Sequence, residues 1–130
     1  MKRTIAVSAA VTLAAGLAQA DPVHGIWQTQ ADDNGNFGHV EISACGTAIC
    51  GTILRAYDSS GAQRPSDTIG RQMIWDMNAR GEGAYRGGKI WAPDRDKTYN
   101  ARMALAGDRL EVSGCVLGIC RGQVWRRVGQ

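Results

Sequence analysis

The clearest chemical signal in the sequence is a pair of cysteines that occurs twice with the same spacing. Cys45 and Cys50 enclose four residues, and so do Cys115 and Cys120. Four cysteines permit three pairings. Residues that flank a four-residue hairpin loop lie opposite each other, with Cβ atoms about 4.5–5.5 Å apart, which is close to the geometry of a disulfide. We therefore expect the local bridges Cys45–Cys50 and Cys115–Cys120.

The remaining reactive side chains do not form a recognisable catalytic or metal-binding pattern. The common zinc knuckle has two residues between its cysteines, and His24 and His39 do not stand at ligand spacing from each other. The serines lie in neither a G-x-S-x-G nor an S-x-x-K motif. Asp94 and Asp96 share a turn and are expected to be solvated. We therefore predict no catalytic residue, no metal, no cofactor and no enzymatic activity.

Aromatic side chains are the best candidates for ligand binding. The chain has four tryptophans and three tyrosines but a single phenylalanine. The tryptophans can line a cavity with their apolar rings, or they can supply the bulk of a small core. An arginine near them can hold an anionic head group, or it can be a surface charge. The candidate ligand-binding residues are Trp27, Trp75, Trp91, Tyr99 and Arg71.

The first twenty residues have the three parts of a secretory signal peptide. Lys2 and Arg3 form a charged start, an apolar run follows, and Ala18-Gln19-Ala20 matches an A-x-A cleavage site. The apolar run is too short to span a bilayer. We expect residues 1–20 to be removed and residues 21–130 to form one domain in the periplasm, where thiols are oxidised.

The charge of the chain argues against a nucleic-acid partner. The formal net charge is +3, and subtracting the charges of Lys2 and Arg3 leaves +1. A nucleic-acid interface needs a concentrated basic face, which the sequence does not show. We expect no nucleic-acid partner and no transmembrane segment in the mature chain, and the sequence identifies no protein partner.

Short alternating segments separated by turn residues predict an all-β fold. In residues 37–44, for example, Val40, Ile42 and Ala44 alternate with His39, Glu41 and Ser43, as in a half-buried strand. Eight antiparallel strands of this kind can close into a small up-and-down barrel, stapled by the hairpin disulfides, that holds either packed side chains or one small ligand. The predicted strands are 24–30, 37–44, 50–57, 70–77, 84–91, 98–105, 109–113 and 121–128.

Several stretches together resemble a known bacterial family. They include Gly25-Ile26-Trp27-Gln28-Thr29 near the predicted mature start and the run Gly87-Gly88-Lys89-Ile90-Trp91-Ala92-Pro93 with Lys97-Thr98-Tyr99. Cys50-Gly51-Thr52-Ile53, residues 110–115 and Trp125-Arg126-Arg127-Val128 complete the set. This set is similar to the secreted domain-of-unknown-function 2147 family. The resemblance implies a small lipocalin-like barrel, exported to the periplasm, with no established activity and no catalytic residues to assign.

Three functional hypotheses follow from these patterns. The first is a periplasmic binding module that takes a small apolar or amphipathic ligand into the open end of the barrel, near the loop of residues 58–70. The second is a packed structural or interaction protein of the cell envelope, whose outer face binds a protein partner. The third, an enzyme, needs convergent polar residues in a pocket. Whether the interior is open or packed decides between the first two.

Overall fold

A computed structural model describes residues 20–130 of the chain. Within this part of the chain the backbone forms strands, turns and loops, as the alternating pattern predicts. The predicted signal peptide lies outside the described residues, apart from Ala20. No helix capable of crossing a membrane occurs in the described part of the chain.

Nine antiparallel strands make up the described structure. Eight of them are long enough to form the wall of a barrel, and the fourth has only two residues. The strands are β1 (Gly25–Gln28), β2 (Phe37–Cys45), β3 (Ala48–Tyr57), β4 (Gln63–Arg64), β5 (Gln72–Gly81), β6 (Ala84–Ala92), β7 (Lys97–Ala106), β8 (Arg109–Val116) and β9 (Ile119–Gly129).

The eight long strands close into one barrel. Their order around the barrel is β1, β2, β3, β5, β6, β7, β8 and β9, and β9 pairs again with β1. The two-residue β4 adds to the free edge of β3 at Ala56 and Tyr57. Closure leaves few free strand edges, which protects a small sheet from pairing with other chains. The predicted all-β barrel of eight strands is confirmed, and β4 is a small addition to it.

Both disulfides of the predicted framework are present. The Cα atoms are 5.7 Å apart in Cys45–Cys50 and 4.0 Å apart in Cys115–Cys120. Both turns have two residues instead of the four expected from the spacing, because β2 and β3 pair as far as Cys45 and Ala48 and β8 and β9 as far as Val116 and Ile119. Cys115 and Cys120 are direct cross-strand partners, as expected. Cys45 and Cys50 bridge diagonally instead, since Cys50 lies opposite Ser43.

One end of the barrel is filled by side chains. Trp27, Trp125 and Leu110 are fully buried there, together with Val23, which precedes the first strand. The indole Nε1 of Trp27 donates a hydrogen bond to the Val23 carbonyl oxygen, 2.9 Å away. The segment before β1 therefore covers this closed end of the barrel.

Arg127 ties the covering segment to the barrel. Its Nη1 and Nη2 donate hydrogen bonds of 2.7 Å to the carbonyl oxygens of His24 and Pro22. Its guanidinium also lies over the ring of Trp27, 4.4 Å from the centroid. Because a guanidinium presents its donors in a rigid plane, one side chain can hold two carbonyls of the covering segment while it stacks on an aromatic ring.

Candidate functional site

The opposite end of the barrel contains a cavity of about 590 Å³. Here the chain passes between strands at residues 29–36, 58–71, 93–96 and 117–118. The cavity is within the size range of small-molecule sites in proteins. Its lining residues are Gln30, Met73, Ile90, Ala92, Pro93, Asp94, Arg95, Tyr99, Val112, Gly114, Val116, Leu117, Ile119, Arg121, Gly122 and Gln123.

The inner wall of the cavity is apolar because the strands alternate. Ile90 lies opposite Tyr99, and both belong to the inward face that also carries Ile74 and Ala101. Gly114 leaves room beside this pair, since a Cβ there would approach the Cβ of Tyr99 to 3.2 Å. A larger side chain at Gly114 would therefore crowd the aromatic wall.

A β-bulge brings Met73 to the cavity. Gly51 lies opposite Ile74 and Thr52 lies opposite Gln72, so Met73 is an extra residue in the ladder between β3 and β5. Bulges of this kind change the direction of a side chain at the rim of a barrel. The partly buried Met73 lines this cavity and a second, adjoining lobe of about 340 Å³.

The adjoining lobe extends the open end toward the loop after β3. Its lining includes Arg64, Ser66 and Thr68 from that loop, and Arg55 and Val40 from the barrel wall. The loop of residues 58–70, near which we expected the opening of the barrel, therefore contributes to this lobe. The two lobes share Gln30, Met73, Pro93, Asp94 and Gln123.

Two arginines supply positive charge to the cavity lining. Arg121 belongs to the same inward face of β9 as Gln123 and the buried Trp125, and it pairs with Gly114 on β8. Arg95 comes from the turn between β6 and β7. Its Nε is 3.9 Å from the carboxylate of Asp94, and both side chains are more than half exposed, so this ion pair leaves Arg95 accessible to solvent. The hydroxyl of Tyr99 is the main cause of a raised pKa at Arg95.

Gln30 and Gln123 are held in place by hydrogen bonds. The Oε1 of Gln30 accepts a bond of 3.0 Å from the backbone N–H of Val124. The Oε1 of Gln123 accepts one of 3.1 Å from the indole of Trp125. Strand β1 pairs with β9 only at residues 26–28, so Gln30 lies beyond the last strand pair. Its side chain therefore bonds to β9 in place of a backbone group. Both side chains line the cavity and its adjoining lobe.

The hairpin between β8 and β9 ends in an apolar tip at the edge of the cavity. The hairpin tip consists of Val116, Leu117, Gly118 and Ile119, and the side chains of Leu117 and Ile119 are 97% and 73% exposed. Leu117 has a φ of 52°, and Gly118 has a φ of 80°. A turn with two positive φ angles favours Asn-Gly. A residue other than glycine or asparagine costs about 1–2 kcal/mol in this conformation.

The five residues predicted to bind ligand are distributed over three regions. Tyr99 lines the cavity. Trp27 lies in the packed closed end and is fully buried. Trp75 and Trp91 alternate with the inward-facing Ile74 and Ile90, which places them on the outer face of the sheet.

Trp91 is nevertheless buried, because other side chains cover it. The guanidinium of Arg71 lies 3.3 Å from the centroid of its ring. The indole Nε1 donates a hydrogen bond of 2.8 Å to Asp96. Arg71 and Trp91 therefore form one cluster on the outer face, separate from the cavity.

Three cavity residues, Arg121, Arg95 and Met73, are not among the candidates predicted from the sequence. The alternation of β9 could have identified Arg121, because it lies four residues before the inward-facing Trp125. Met73 could not be found this way, because the bulge interrupts the alternation of β5. Residues 20–130 contain no cluster of three or more His, Cys, Asp or Glu side chains with the arrangement of a metal site.

Comparisons with known proteins agree with the fold. A family model described as an uncharacterized protein conserved in bacteria, DUF2147, matches residues 25–127. The structure is similar to that of Helicobacter pylori protein HP1028, which is described as belonging to the lipocalin family, with a TM-score of 0.65 and 22% sequence identity. The match covers 81% of this chain and 82% of that protein. No protein with a curated description matches the sequence.

Proposed function

The chain belongs to the bacterial family DUF2147, and from its cavity we propose that it is a binding module for a small amphipathic molecule. The observation that carries the proposal is an open, largely apolar cavity of about 590 Å³ in a barrel whose other end is packed. A barrel of eight strands is wide enough to hold one small ligand.

The apolar part of the ligand would lie against the inner wall of the barrel. Met73, Ile90, Tyr99 and Val112 supply apolar surface there, and burial of a ligand against it is favourable by about 25 cal/mol per Å². The polar end would lie near Arg95 and Arg121. A carboxylate or phosphate accepts charge-assisted hydrogen bonds from arginine, so an anionic group suits this end.

The composition of the lining favours binding over hydrolysis. Within the described residues, the larger lobe is lined by one carboxylate, that of Asp94, and by no histidine, serine or cysteine. A nucleophile and its base need to lie within hydrogen-bond reach of each other, and this lining does not supply such a pair. The ligand would therefore be bound unchanged.

We infer that the protein acts in the periplasm. The predicted leader ends at Ala20, and two disulfides join cysteines of the described barrel. Disulfides persist in oxidising compartments such as the bacterial periplasm. N-terminal sequencing of the protein from a periplasmic extract tests this location, since cleavage after Ala20 leaves Asp21 as the first residue.

A fluorescence titration tests the proposed function. The probes are dansylated undecanoic acid and its methyl ester, which differ in one negative charge, and the protein is the chain from Asp21, which contains all nine strands. We expect saturable binding of both probes. Met73→Trp fills the cavity and should weaken both by at least about tenfold, whereas the volume-conserving Met73→Leu should bind like the parent chain.

A second variant tests the polar end of the site. Arg121→Gln removes one charged donor and should weaken the acid by about tenfold, which corresponds to about 1.4 kcal/mol, without weakening the ester. Absence of probe binding, or equal binding by the parent chain and Met73→Trp, would refute the proposal. An equal loss for acid and ester in Arg121→Gln would refute the role of that arginine.

A further inference from the structure

We propose that the hairpin tip docks the barrel on an anionic lipid surface, with its open end toward the membrane. Three of the five large apolar side chains exposed in the described structure lie at this tip, namely Val116, Leu117 and Ile119. The other two, Ile69 and Val128, are separate from it. The inference goes beyond ligand binding and is tested independently of it.

The conformation of the tip favours a role outside the fold. Leu117 occupies a position with positive φ that suits asparagine or glycine, and almost all of its side chain is exposed. Leu117 therefore neither suits the turn conformation nor buries apolar surface in the barrel. The Cys115–Cys120 disulfide lies one residue pair below the turn and holds the two strands together, so the tip presents its side chains on a fixed support.

The charges around the tip match a lipid surface with negative head groups. Leu117 shares the cavity lining with Arg95 and Arg121. On its other side, Leu117 and Gly118 share a depression of about 320 Å³ with Arg86 and Arg102. Within the described residues, these two linings contain four arginines and a single carboxylate, that of Asp94. Basic side chains near an anionic membrane surface favour binding, and they act together with inserted apolar side chains.

The size of the apolar tip favours a membrane over a second copy of the chain. Three exposed side chains offer only a few hundred square ångströms, whereas a specific protein interface buries about 1,000 Å² or more. Insertion into the head-group region of a bilayer needs no complementary surface. In this orientation, the open cavity faces the membrane from which an amphipathic ligand can enter.

Vesicle sedimentation tests the proposal with the chain from Asp21, so that the apolar leader does not contribute. Vesicles of phosphatidylcholine alone are compared with vesicles of phosphatidylcholine and phosphatidylglycerol in equal parts. We expect binding to the mixed vesicles and a decrease in that binding with added salt. Leu117→Asn should lower the partition coefficient by about tenfold, because the apolar side chain that inserts into the bilayer is lost. Asparagine also suits the positive φ at this position of the turn better than leucine does.

Two further variants separate the tip from the rest of the surface. Val128→Thr changes an exposed apolar residue at the closed end of β9 and should bind the mixed vesicles like the parent chain. Arg86→Gln with Arg102→Gln should lower binding by about fivefold for each arginine. Urea denaturation should show that Leu117→Asn is at least as stable as the parent chain.

Three outcomes would overturn the proposal. They are no binding to the mixed vesicles, equal binding by Leu117→Asn and the parent chain, or a dimer in solution that Leu117→Asn abolishes. Because the dansyl probes are soluble, a parent chain that binds the probes but not the mixed vesicles refutes docking alone. A parent chain that binds the mixed vesicles but not the probes refutes the proposed function alone.

Discussion

Replacement of Arg127 by methionine should destabilise the closed end of the barrel much more than replacement of the neighbouring exposed Arg126. The side chain of Arg127 is only 11% exposed, and it donates to two carbonyl oxygens of the segment before β1. Methionine keeps the apolar stem over Trp27 but removes both donors. The segment that covers Val23 and Trp27 then loses its attachment.

The contacts of Arg127 allow the magnitude to be estimated. Hydrogen bonds from a charged donor contribute about 1.5 kcal/mol each at the low end, so the two carbonyl bonds contribute about 3 kcal/mol. Stacking on the Trp27 ring adds about 0.5–1 kcal/mol. The bond of 2.9 Å to Asp108 adds little, because that carboxylate is 82% exposed. We expect Arg127→Met to lower the free energy of unfolding by about 3–4 kcal/mol.

Urea denaturation with intact disulfides, followed by tryptophan fluorescence, measures this loss. An m-value of about 1–3 kcal/mol/M makes the expected shift of the midpoint about 1–4 M. The matched control is Arg126→Met at the neighbouring exposed arginine, which should cost less than about 0.5 kcal/mol. Arg127→Lys should fall between the two, because an ammonium keeps the charge but lacks the planar fork. If Arg127→Met and Arg126→Met have the same stability, the attachment of the covering segment by Arg127 is refuted.

Two further predictions concern the barrel itself. Burial and the Asp21 carboxylate, which accepts a hydrogen bond from the Tyr85 hydroxyl, raise the pKa of Tyr85 well above its usual value. Because the unfolded chain releases this proton first, the contribution of Tyr85 to stability should be constant below about pH 10 and fall as the pH rises above it. Thermal unfolding of Tyr85→Phe should lack this part of the alkaline loss of stability, and an unchanged loss would contradict the assignment. Gly88→Ala should destabilise the barrel by about 1–3 kcal/mol, because its Cβ would collide with the Met77 sulfur and the Trp75 carbonyl oxygen. The control is Gly118→Ala, whose Cβ meets no neighbouring atom but whose φ is positive; it should cost about 1 kcal/mol in the same urea assay. Equal losses for the two variants would show that the collision at Gly88 does not cause the destabilisation.

The amino-acid sequence determined the fold class, the number of long strands and both disulfides. These features depend on local patterns: alternation in each strand, glycine-containing turns, and cysteines that are close in sequence. A cysteine pair separated by four residues is brought together by its own hairpin, so no distant contact is needed. The bridge of Cys45 and Cys50 is diagonal because the turn lies at residues 46–47, one residue before the midpoint between the two cysteines.

Only the tertiary structure decided which side chains meet at the cavity. Alternation separates the two faces of a strand, but closure of the barrel decides which face is inside. The same rule that turns Tyr99 inward therefore places Trp91 on the outer face beneath Arg71. The bulge at Met73 and the pairing of β9 with β1 depend on strands distant in sequence. The amphipathic cavity is thus a property of how the ends of the chain close the sheet, which no local pattern specifies.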